Sequence, residues 1–120
     1  MPSLTRTPAA GVATIPINTA ISNLVGMSDY SGGLIIVPST WTDASIGFKT
    51  CDTQDGTFVP LRSQAGSLVQ ITGIQTAEAD AYPLPDELFG ALYFKLWSCT
   101  AAGVDTNQAA ARALTVILKG

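Results

Sequence analysis

Few residues in this sequence are of a type that does chemistry, and histidine is absent. That removes the commonest general base and metal ligand, and with it any Ser-His-Asp or Cys-His arrangement within the chain. Two cysteines, Cys51 and Cys99, stand far apart, and neither belongs to a Cys-x-x-Cys pair. Two lone thiols do not fill the four positions of a zinc site. Both follow strand-like runs, so their pairing in a disulfide is left open. Two carboxylate pairs remain, Asp52 with Asp55 and Glu78 with Asp80. Glycosidase chemistry needs two carboxylates flanking a cleft at a set separation. Turn and strand-edge positions account for these four better. Asp52-Thr53-Gln54-Asp55-Gly56 has the composition of a short calcium loop but lacks the longer ligand series and closing Glu of an EF-hand. These residues assign no catalytic group, no metal ligand and no cofactor.

Aromatic side chains are the other candidates for recognition. Trp41, Trp97, Tyr30, Tyr82 and Tyr93 offer rings for stacking on a sugar or filling an interface core. Trp41, Tyr93 and Trp97 are the residues singled out for one of those two roles. A one-residue slip in strand parity reverses which of them faces outward.

The elements that must position these residues read as short strands. Gly11–Ile17 is a strand that Pro16 pushes toward a sheet edge. Residues 20–26 fit either a strand or a helical turn. Leu34–Val37 is a buried β-branched run bounded by Gly33 and Pro38. From Ser45 to Cys51 the pattern alternates: Ile46, Phe48 and Thr50 face one way, Gly47, Lys49 and Cys51 the other. Asp52–Gly56 is a hairpin connection, and the returning Thr57–Leu61 offers Phe58 as a cross-strand partner for Phe48. Further strands are expected at 67–72 and 79–84, with one helical turn at 86–89. Ala91–Trp97 directs Leu92, Phe94 and Leu96 to the core and Tyr93, Lys95 and Trp97 to the other face. The last strand, 112–119, turns Leu114, Val116 and Leu118 inward. Residues 107–113 are too few to stand alone as a helix and read as loop running into strand. Seven or eight short strands with turn signals about every ten residues predict an all-β, antiparallel, jelly-roll-like β-sandwich.

The 120 residues make one domain, read as a flexible N-terminal arm at 1–10 and a sandwich at 11–120. Hydrophobic content is 47%, yet only 12% of residues are charged, about half the usual share. Ser and Thr outnumber the charged residues, so the surface is largely neutral and suited to lasting contact with partners. The net charge is −3, and Arg6, Lys49, Arg62, Lys95, Arg112 and Lys119 are scattered singly. Without a basic stripe, nucleic-acid binding is not expected. No apolar run is long enough to predict a membrane span, and the first residues lack the apolar segment of a secretory signal. Synthesis in the cytosol with reduced thiols is the expectation.

Several segments resemble a family of small proteins from tailed bacteriophages and prophages. They are Ala13–Asn23, Pro38–Ala44 leading into Ile46-Gly47-Phe48, Asp55–Leu61, Tyr93–Ser98 and Asn107–Thr115. The likeness covers most of the chain past the arm. It implies a non-enzymatic virion protein made in the host bacterial cytoplasm, and it carries no catalytic residues. The expectation drawn from it is a capsid decoration (cement) protein, a homotrimer bound to the major capsid protein with its arm reaching a neighbouring subunit. A tail or baseplate module that binds host-surface glycan through Trp97 and its neighbours is the alternative.

Overall fold

The chain forms two antiparallel sheets packed face to face, as the computed structural model describes for residues 8–27 and 30–120. Its strands are β1 (Pro8–Ile15), β2 (Val25–Gly26), β3 (Gly32–Val37), β4 (Ser45–Cys51), β5 (Val59–Pro60), β6 (Gln70–Ile71), β7 (Asp80–Pro83), β8 (Tyr93–Cys99) and β9 (Arg112–Lys119). One sheet has the order β1-β9-β3-β7, the other β2-β8-β4-β5, with β6 sharing the free edge of β4. Strands equally far from the two ends of this series pair: β1 with β9, β2 with β8, β3 with β7, and β4 with β5 and β6. The chain is thus one long antiparallel ribbon rolled on itself, with successive pairs falling in alternate sheets. That is a jelly roll, a two-sheet sandwich.

Side-chain alternation decides what lies between the sheets. From β9, Leu114, Val116 and Leu118 point inward and are buried; from β4, Ile46 and Phe48; from β8, Phe94 and Leu96. Phe48 and Phe94 meet edge to face at 6.0 Å and 66°, a geometry worth about 1 kcal/mol beyond the area buried. Phe58 therefore does not partner Phe48. It lies half-buried on the outer side, where the Lys95 ammonium stands 4.6 Å from its ring centroid. Leu92, expected in the core, falls before β8 begins and is 49% exposed.

β1 is an edge strand, consistent with the proline that follows it. It starts at Pro8, so residues 8–10, assigned by sequence to the arm, pair with Lys119, Leu118 and Ile117. The rest of the arm lies outside the described residues. The expected turn at 86–89 is a 3-10 helix, Asp86–Gly90, that buries Leu88. The run 67–72 supplies only the two-residue β6 and an isolated bridge between Arg62 and Leu68.

Candidate functional site: the outer face of the four-stranded sheet

In the sheet β1-β9-β3-β7 every second residue points away from the core. The register lines these residues up across the strands. Ala10, Ile117, Leu34 and Pro83 form one row; Val12, Thr115, Ile36 and Ala81 form the next; Thr14 and Ala113 follow. None of them is charged. Lys119 stands at the rim, opposite Gly32. Val12 is 56% exposed and Leu34 41%, and the more central Ile36, Thr115 and Ile117 are half-exposed. Gly32, Gly33, Leu34, Ile117 and Lys119 line a shallow concavity of about 360 Å³ on this face.

Gly33 makes this packing possible. A Cβ built there would overlap the Ile117 carbonyl oxygen and crowd Leu118 and Leu84 at 3.1 Å. The absence of a side chain lets β3 lie close against β9, which carries Ile117 into the apolar row. The result is a four-stranded face with apolar rows and no charge inside its rim.

The outer side of the other sheet is not a free platform. Trp97 points outward from β8 as its parity predicts, yet it is only 3% exposed. Ala20, Ile21 and Leu68 pack with Trp97 and Cys99 in a second, smaller core. The Trp97 indole N–H donates to Asp105 Oδ1 at 2.7 Å, and the Lys49 ammonium lies 4.6 Å from the ring centroid. Trp41 is likewise 3% exposed, in the main core, with its indole N–H donating to the Ala44 carbonyl at 3.1 Å. Neither ring can stack on a sugar. Tyr93 is half-buried at the start of β8.

The two cysteines are not brought together. Cys99 pairs opposite Ser45 at one end of β4, and Cys51 opposite Tyr93 at the other. Both are free thiols. Burial pushes the Cys99 thiol above its ordinary pKa, against the opposing hydrogen bond from Gln70 Nε2 at 3.3 Å. Cys51 lines a groove of about 440 Å³ with Asp52, Val59 and Leu92. Asp52, Asp55 and Glu78 are exposed and Asp80 half-buried at the start of β7. Among the described residues, no group of three or more His, Cys, Asp or Glu gathers that could hold a metal ion.

Sequence reasoning missed a buried polar knot. Gln108 is fully buried. Its amide Nε2 donates to Ser98 Oγ at 2.8 Å and to the Thr42 carbonyl at 3.2 Å. Its Oε1 accepts from the Thr42 backbone N–H at 2.9 Å and from Arg112 Nε at 3.1 Å. Arg112, 9% exposed, donates a second bond to Thr42 Oγ1 at 3.1 Å. The knot ties the loop before β4 to the loop before β9. The only hint in the sequence is an Arg and a Gln inside an alanine-rich run, a pattern that does not reveal what it meets.

No family model and no curated protein matches this chain. Among solved structures it is similar to the crystal structure of the SPBc2 prophage-derived protein YomS, at 8% identity and a TM-score of 0.56, covering 99% of this chain and 100% of that one. Because the match runs the full length of both chains, the likeness is one of the whole jelly roll rather than of a single hairpin.

Proposed function

We propose that this chain is a non-enzymatic structural protein of a bacteriophage virion, and specifically a decoration protein that binds the outside of the capsid shell. The observation that carries the reading is the uncharged outer face of the β1-β9-β3-β7 sheet. A monomer in water gains nothing from such a face, whereas a protein held permanently against a shell buries it. Two further points support it. The jelly roll serves viral capsid proteins, as well as lectins and cupins, and the similar solved structure is of prophage origin. The scarcity of charge across the sequence fits lasting contact better than a free existence.

The mechanism is mass action. A protein that binds the assembled shell and not its free subunits stabilises the shell by an amount set by its concentration over its Kd. The outer face, with Leu34, Ile36 and Ile117 on its two central strands and Val12 on its edge strand, is the surface assigned to the major capsid protein. The burial of Trp41 and Trp97 favours this reading over the glycan-binding alternative, which called on both rings.

The test is to separate purified virions into heads and tails and identify this chain by quantitative mass spectrometry. Many copies per head are expected. Recovery only with tails, or absence from both fractions, overturns the reading.

A further inference from the structure

Among the described residues the free edge of β1 is covered at one point. Asn23 closes it there: the Thr14 N–H donates to Asn23 Oδ1 at 2.6 Å, and the Asn23 N–H donates to the Thr14 carbonyl at 3.3 Å. Both backbone groups of Thr14 therefore point away from β9. In an antiparallel ladder that orientation recurs at every second residue. Val12 and Ala10 thus direct their N–H and C=O groups to the same free side. Among the described residues no loop or turn backbone group bonds them there. Exposed edges are ordinarily protected by charge, by bulges or by a covering segment. Here Pro8–Ile15 carries no charged residue, and no backbone bond among the described loops and turns covers the edge from Ala10 to Val12.

We propose that β1 is a self-association edge: two copies of this chain pair β1 to β1, antiparallel, about a two-fold axis at Gly11. Ala10 of each copy then faces Val12 of the other, and each such pair exchanges an N–H and a C=O in both directions. The pattern is self-complementary, as a two-fold interface requires. Gly11 faces its own equivalent, where the backbones of a paired ladder come within about 4.5 Å. Among the described residues of one molecule nothing demands glycine at this position, because a Cβ built on Gly11 meets no atom within 4 Å. The pairing gives the residue a reason. Beside the edge runs a groove of about 260 Å³, walled by Leu24, Val25 and Tyr30 and floored by Val116 and Leu118. It gives the added strand an apolar bed, and the absence of charge on β1 means that two identical edges approach without repulsion.

A ladder of about three residues per copy, rising about 3.4 Å each, makes a small interface, below about 1,200 Å² in total. Such an interface associates reversibly, so the unit is a weak dimer rather than the trimer expected from the sequence. The pairing does not depend on which part of a virion carries the protein, and it is tested on the purified chain.

The experiment is sedimentation equilibrium on the full chain from low-micromolar to near-millimolar concentration, with two variants alongside. The wild type is expected to shift reversibly from monomer to dimer. Gly11→Glu has room in the monomer and keeps its circular dichroism spectrum, but it sets two carboxylates against each other at the axis and weakens dimerisation at least ~10-fold. Val12→Pro removes one free-edge N–H and does the same without adding charge. A wild type that stays monomeric throughout, a trimer, or a dimer that a folded Gly11→Glu leaves unchanged would each overturn the proposal.

Discussion

The side-chain amide of Gln108 pairs with the backbone of Thr42 at both ends, accepting its N–H at 2.9 Å and donating to its carbonyl at 3.2 Å across 66 residues of sequence. The amide acts as a one-residue strand for a loop that has none. Arg112 Nε donates to the same oxygen at 3.1 Å, so a buried cation leans on that amide too.

Gln108→Leu keeps the volume and removes every polar contact. It leaves the Thr42 N–H and an Arg112 N–H without an acceptor, each worth about 1–3 kcal/mol when unsatisfied. The expected loss is about 3–5 kcal/mol, read as a lower urea midpoint with an unchanged slope. A loss below about 1 kcal/mol would mean that the knot is peripheral to stability.

Gly47 and Trp97 sit opposite each other across β4 and β8. A Cβ on Gly47 would lie 2.9 Å from Trp97 Cε3 and 3.1 Å from Cys99 Sγ. The indole is held by Asp105 and cannot retreat freely. Gly47→Val is therefore expected to cost about 1–3 kcal/mol, in the range of overpacked cores. It should also shift tryptophan emission to the red as the ring is displaced toward water. Unchanged emission together with unchanged stability would count against the second core described for Trp97.

The thiols differ in reach. Ellman's reagent is expected to label Cys51 in the folded protein and both cysteines after denaturation. The sign of the pH effect follows from the raised Cys99 pKa, whose main cause is burial. A thiol held protonated by the fold ionises more readily once unfolded. Its contribution is whole below the unfolded pKa and is lost as pH rises through the folded value. As pH rises from neutral past the ordinary thiol pKa of about 8.5, wild type should lose more stability than Cys99→Ala. Equal losses would show that Cys99 is not linked to folding.

Leu34 lies on the outer apolar row and is already 41% exposed. Leu34→Glu should change folding stability by no more than about 0.5 kcal/mol, as surface substitutions do. On shells stripped of the native protein its binding should fall at least ~10-fold, since a carboxylate buried in an apolar contact must lose its water. Undiminished binding would take the β1-β9-β3-β7 face out of the proposed contact.

Local pattern made much of the fold legible. Alternation turned Leu114, Val116 and Leu118 inward and set Ile46 and Phe48 on one shared face, and all five are buried, because a strand's side chains can only alternate. Pro16 marked an edge strand because proline has no N–H to give a ladder. The missing histidine and scattered charge directed attention away from catalysis for the same local reason: residue type fixes what chemistry a side chain can do. Whether a face is covered is another matter. Parity placed Trp97 on the outer side of β8, but only the loop carrying Ala20 and Ile21 decides that this side is buried. Phe48 found Phe94 rather than Phe58 because β8, far away in sequence, pairs with the whole of β4 while β5 meets only its end. Gln108 and Thr42 are polar residues in loops until the rolled ribbon brings them together. Local pattern was enough for the longer strands and most of their facing, because alternation follows from neighbours along the chain. The tertiary structure decided the register, the second core, the polar knot and the bare apolar face, because each depends on contacts between residues that only the rolled sheets bring side by side.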